Sequence, residues 1–172
     1  MKKLFLAAFA VFAFASINAQ QFGALAGFSN VSADVSGADS DSESGFHIGA
    51  FAEFELSDTF DLQPEVTYTS AGDFAALNVN AIVKYSFSED FNIQLGPQIG
   101  FVMGDVADFL DELDDTTKLN LQLAAGVGYD IDENFSVQAR YGFQLNDHFT
   151  GDGDGEIKFN TLTVGVGYKF GG

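Results

Sequence analysis

Hydrophobic and polar residues alternate along most of the chain. In residues 77–87 (LNVNAIVKYSF), Leu77, Val79, Ala81, Val83, Tyr85 and Phe87 share one phase, and Asn78, Asn80, Ile82, Lys84 and Ser86 share the other. A period of two sends successive side chains to opposite faces of a strand, so the segment has one apolar and one polar surface. The same rule, punctuated by turn residues, predicts strands over 21–29, 45–56, 60–69, 75–87, 91–102, 119–129, 135–146 and 157–170. The polar phase carries Gly, Asn, Gln, Ser and Thr far more often than charge. A soluble sandwich or barrel would turn that phase to water and load it with Lys and Glu. Apolar outside and uncharged-polar inside predicts an all-β fold, an eight-stranded antiparallel up-and-down transmembrane β-barrel.

The connections sharpen this reading. Residues 57–59, 88–90 and 130–134 form short turns, whereas 30–44, 103–118 and 147–156 are long; the brief 70–74 connection breaks the pattern. Short turns at one end and long loops at the other are the habit of outer-membrane barrels, whose short turns face the periplasm. An even strand count then puts both termini on the periplasmic side. Aromatics bracket the short turns on the apolar face: Phe54, Phe60, Tyr85, Phe87, Phe91, Tyr129 and Phe135, with Tyr168 and Phe170 closing the last strand. They predict one interfacial girdle, and Phe28, Phe46, Tyr68, Phe101 and Phe143 a second.

Residues 1–19 have the parts of a cleavable export signal: Lys2 and Lys3, an apolar run from Leu4 to Ala15, and Ile17-Asn18-Ala19 as the cleavage site. The run is too short for a bilayer-spanning helix, which needs roughly 20 apolar residues. Residues 20–172 then form one barrel domain. With 25 acidic against 7 basic residues, the net charge of −18 argues against nucleic acid as a partner, since phosphate binding needs clustered Lys and Arg. The chain has no cysteine, so neither a disulfide framework nor a thiolate metal site is available.

Four segments carry a family resemblance: GFHIGAFAEFELSDTFDLQPEVTY (45–68), LNVNAIVKYSFSEDFNIQLGPQIGF (77–101), AAGVGYDIDENFSVQARYGF (124–143) and TLTVGVGYKF (161–170). The chain resembles the PorT-type outer-membrane β-barrel domain, often labelled a porin family, and is similar in shape to small OmpA-like and opacity-type barrels. Its most specific pieces are Leu62-Gln63-Pro64-Glu65, Gly96-Pro97 and Ala139-Arg140-Tyr141. The resemblance implies a barrel of the Gram-negative outer membrane inserted by the assembly machinery, with lipid as its surroundings. It implies little about activity, because a shared barrel does not transmit one. The Gly171-Gly172 tail departs from the family habit of ending on the aromatic. Pro64 and Pro97 each remove a ladder donor inside a strand and predict a bulge or kink.

The inward phase carries few charges: Glu53 and Glu55, Asp61 and Glu65, Lys84, Arg140, and Lys169. Counting outward from the 70–74 connection sets Asp61 opposite Lys84. Glu53, Glu65 and Arg140 fall near mid-strand, where Arg140 is expected to serve both carboxylates. An eight-stranded barrel is just wide enough for side chains to fill it, and buried charges without partners are costly. The lumen network of Glu53, Asp61, Glu65, Lys84 and Arg140 is therefore read as a structural plug in preference to a conducting pore. The two histidines, His47 near the mouth of its strand and His148 in the last long loop, have no nucleophile at a recognised spacing. No catalytic, cofactor or metal residue is assigned. The acidic loops (Asp39, Asp41 and Glu43; Asp105, Asp108, Asp111, Glu112, Asp114 and Asp115; Asp152, Asp154 and Glu156) lack the Gly and Glu positions of an EF-hand. Residues 107–114 are spaced for a short helix presenting Ala107, Leu110 and Leu113.

The sequence thus predicts a monomeric barrel with a structural or surface-interaction role. Its rivals are a narrow porin or gated channel, an adhesin meeting a cationic or metal-bridged partner, and an accessory of an envelope secretion complex.

Overall fold

The computed structural model describes residues 21–35, 41–112, 116–148 and 157–170. The expected signal peptide, the Gly171-Gly172 tail, and Asp39, Leu113, Asp114, Asp115, Asp152, Asp154 and Glu156 lie outside the described residues. Eight strands run β1 (Gln21–Val35), β2 (Asp41–Ser57), β3 (Phe60–Ala71), β4 (Phe74–Ser86), β5 (Phe91–Met103), β6 (Leu119–Asp130), β7 (Phe135–Gln144) and β8 (Ile157–Phe170). Each pairs antiparallel with its sequence neighbour, and β8 pairs with β1 to close the barrel. A helix, α1 (Asp105–Glu112), follows β5. Closure leaves no free edge, which is what lets a sheet sit in hydrocarbon.

The ladders are staggered. From Gly23, successive partners are Phe51, Glu65, Asn80, Gln98, Gln122 and Gln144. The Gln144 side chain then accepts from Phe159 N–H, and Phe159 pairs with Ala33, not with Gly23. That offset is the signature of strands tilted to the barrel axis.

β1 and β2 outrun the alternation that predicted them. Asn30, Val31, Ser32 and Ala33 pair with Ser44, Glu43, Ser42 and Asp41, so most of the expected 30–44 loop is strand. Backbone ladders need no apolar side chains where the surroundings are wet, and the alternation fades there without the strand ending. The brief 70–74 connection is a two-residue turn, Gly72-Asp73, with Gly72 at φ +54°. That conformation is open to glycine at no steric cost.

Neither proline makes the expected bulge. The β2–β3 ladder passes from Phe51–Glu65 to Phe54–Leu62, and the β4–β5 ladder from Asn80–Gln98 to Val83–Leu95. In each the register is unchanged, but two rungs are missing around the proline. The missing N–H removes pairing without inserting a residue. A register shift does occur between Glu55 and Ser57, beside the first short turn.

Aromatics gather at the short-turn end on the outer face, with Phe60 against Tyr85, Phe91 against Tyr129 and Phe135 against Tyr168 at centroid separations of 5.0, 4.7 and 4.8 Å. Inside, large side chains lie across glycines of the neighbouring strand. A Cβ on Gly23 would come within 2.2 Å of the Phe51 ring, and one on Gly27 within 2.8 Å of the His47 ring. These glycines make room for rings in a narrow lumen.

Candidate functional site

The lumen is built in two storeys. At the short-turn end and middle, the inward positions of β2, β3, β4, β7 and β8 bring five charges together. Lys84 Nζ lies 2.6 Å and Lys169 Nζ 2.7 Å from the Glu53 carboxylate. Deeper in, the Arg140 guanidinium meets Glu65 with two nitrogens, at 2.7 and 2.8 Å. β3 and β7 stand on different sides of the closed sheet, so this bridge crosses the lumen. Gly126, directly opposite Arg140 on β6, leaves space for the arginine stem; a Cβ there would come within 2.7 Å of it.

Glu65 is 1% exposed, yet its oxygens are amply satisfied. Gln63 Nε2 donates at 2.6 Å and Asn80 Nδ2 at 2.9 Å, besides the arginine. Arg140 also donates to the side-chain oxygens of Gln94 and Gln138. A forked guanidinium–carboxylate pair with its remaining sites filled is the arrangement in which a buried ion pair offsets its desolvation.

The structure sorts the expected network differently in one respect. Arg140 takes Glu65 alone, and Glu53 is held by Lys84 and Lys169. The reason is position: the lysines reach Glu53 from β4 and β8 at the short-turn end, while the crossing bridge lies deeper. Asp61 does stand opposite Lys84 in the ladder, but the ammonium turns to Glu53. Glu55 shares the inward phase and is exposed at the short-turn end.

His47 is buried well inside the barrel instead of at a mouth, because β2 begins four residues before its predicted start. Its Nδ1 lies 3.1 Å from Ser29 Oγ. This pair went unseen in the sequence, though Gly27 and Gly165 flanking one another across the β1–β8 ladder mark where an inward ring fits. The adjoining cavity, lined by His47, Glu65, Thr67, Arg140 and Thr163 among others, measures about 20 Å³. That is room for about one water molecule. A serine beside a histidine needs a path for substrate to do chemistry, and this one adjoins a water-sized space.

At the long-loop end the inward face turns apolar. Val31, Ala71, Phe74, Ala76, Val102 and Phe159 form a collar, with Phe74 and Phe159 ring centroids 5.3 Å apart. Ala107 and Leu110 of α1 pack onto it. The helix starts after Gly104, at φ +77°, whose carbonyl accepts from Ala107 and Asp108 N–H. Asp105 and Asp108 in its first turn suit the positive end of the helix dipole.

His148 clasps the loops over this collar. Its N–H donates to Ile157 at 3.0 Å, and its carbonyl accepts from Thr117 at 2.9 Å. Its Nδ1 lies 2.5 Å from the Thr117 carbonyl and must therefore carry the proton, while Nε2 has no partner among the described residues. The ring is fully buried, 5.1 Å from that of Phe159. Burial pulls its pKa below the usual imidazole value, against the opposing pull of the Thr117 carbonyl and Asp147. Among the described residues, no group of three or more His, Asp or Glu is set to hold a metal.

Solved structures share this architecture. The chain is similar to Ail, the attachment invasion locus protein of Yersinia pestis, with a TM-score of 0.58 and 18% identity over 87% of this chain and 98% of that one. Neisserial surface protein A gives 0.56 and 18%, over 87% and 97%. Ail in complex with the heparin analogue sucrose octasulfate gives 0.52 and 16%, over 87% and 98%. At such identities the likeness concerns the fold. No curated protein matches the chain. The model of the outer membrane protein beta-barrel domain matches residues 3–170, and the chain belongs to that family.

Proposed function

We propose that this is a closed, non-conducting outer-membrane barrel whose role is structural and surface-interacting, with no catalytic site. The observation that carries the reading is the Arg140–Glu65 bridge across the lumen, beside a cavity of about 20 Å³. Glu53, Lys84 and Lys169 complete the plug below it, and the collar with α1 covers it above.

In this reading the protein is a monomer of a Gram-negative outer membrane, exported by a cleaved signal at residues 1–19. The short turns and both termini face the periplasm, and the hairpin β1–β2, α1 and the acidic loops face outward. Within the family it is PorT-type, on Leu62-Gln63-Pro64-Glu65, Gly96-Pro97 and Ala139-Arg140-Tyr141. The outward surface is suited to cationic partners. Ail has been captured with a sulfated polyanion; here the acidic excess of the long loops disfavours such a ligand.

Conductance decides between this reading and a porin. Purified protein inserted in a planar bilayer should give no steady current. A steady ohmic current from wild type would replace the plug with a channel.

A further inference from the structure

Beside α1, at the long-loop end, lies a pocket of about 120 Å³. Val31, Phe74, Val106 and Phe159 supply apolar walls, and among the described residues its polar liners are the acids Glu43 and Asp73. The Glu43 side chain folds over the tight Gly72-Asp73 turn: a Cβ on Gly72 would come within 2.7 Å of its carboxyl carbon. Asp73 is fixed from the other side, since its carbonyl accepts from Val106 N–H at 3.5 Å. Both acids are exposed, and among the described residues neither enters an ion pair, while Lys118 of the neighbouring loop is held by Asp111 at 2.5 Å.

An apolar slot with carboxylates at its lip has a definite complement. We infer that this pocket receives a lysine side chain of a cationic polypeptide partner, its aliphatic stem against Val31, Phe74, Val106 and Phe159 and its ammonium between Glu43 and Asp73. At about 120 Å³ the pocket has six times the room of the water-sized cavity beside His47. Lysine stems habitually lie on apolar surface with the charge left in water. Phe109, exposed on the adjacent α1, extends the surface beyond the pocket. The inference rests on the surface-interaction reading above and names its partner chemistry.

The test uses the mature protein in lipid nanodiscs and three probes: acetyl-Gly-Lys-Gly-amide, its norleucine counterpart, and decalysine. The lysine peptide should shift the NMR signals of Val31, Phe74 and Val106 saturably. Joint Glu43→Gln and Asp73→Asn replacement should weaken it about five- to tenfold, as two partly exposed ion pairs allow. A control pair, Asp132→Asn with Glu133→Gln at the other end, should leave binding unchanged. Unheated gel mobility shows that each variant is folded.

The inference is overturned if norleucine binds as well as lysine, if the neutralised pocket binds undiminished, or if the shifts fall only on Asp111 and Glu112. Decalysine separates the two levels. If it binds the acidic surface without touching the pocket signals, the lysine site fails and the surface-interaction reading stands; if it does not bind, both fail.

Discussion

The two storeys of the lumen close the same tube by different physics. Around Glu65 and Arg140, the lumen is filled by paired charges and amides held in one geometry. Around Phe74, Val102 and Phe159, it is filled by apolar surface that has no preferred direction. The first kind of closure fails abruptly when one partner is lost, because the remaining charge is stranded. The second declines with the volume removed and tolerates shape-conserving exchange. A barrel with both has a rigid floor and a forgiving roof.

The sharpest way to break the contrast is Arg140→Ala. Glu65 would keep Gln63 and Asn80 but lose its only cation, and stranding a buried charge costs about 3–5 kcal/mol, less where water enters the lumen. The folded gel band should disappear at a clearly lower temperature, and a leak current should appear. An unchanged transition would mean that the bridge holds nothing together.

Leu110→Ala should cost about 2 kcal/mol, at the low end for such truncations, because α1 can lift off without opening a strand ladder. The loss should be local: faster hydrogen exchange in α1, with the barrel transition barely moved, and Leu110→Met near wild type. A large fall in barrel stability would show that roof and floor are one unit.

The smallest effect concerns pH. Because burial holds the folded-state pKa of His148 below the ordinary value of about 6.5, the folded clasp binds fewer protons than the opened one. Its stability is complete above that value and is lost as the pH falls through it. Amide exchange at Thr117 and His148 should therefore quicken on acidification, and His148→Gln should flatten the response. Exchange in β3 and β7 around the lower bridge serves as the internal reference.

The wall of the barrel was legible because its two faces meet such different media that the alternation at 77–87 has one interpretation. The strand ends were not, since the Asn30–Ala33 ladder continues where the alternation of apolar and polar residues has faded. Asp61 opposite Lys84 followed from counting, whereas the choice of Lys84 and Lys169 for Glu53 depends on reach across the lumen, which no single hairpin encodes. The collar was missed for an instructive reason. Its residues lie in the inward phase, where polar side chains were expected, yet β4 reads Phe74, Ala76, then Asn78, Asn80 on that one face. A change of polarity along a single phase is the signal that could have found it.

The two interrupted ladders have a mechanical consequence. Pro64 and Pro97 flank Ala81 on either side, so the missing rungs of the β2–β3 and β4–β5 ladders lie at one level, with the intact β3–β4 ladder between them. The seam between β1 and β8, by contrast, is continuous from Phe22–Phe170 to Val35–Ile157. Under lateral pressure from the bilayer, a cylinder flexes where its cross-ties are fewest. The strands that complete the circle therefore act as a spine, and the compliant wall lies away from it, so the cross-section can turn oval without unzipping where the chain begins and ends.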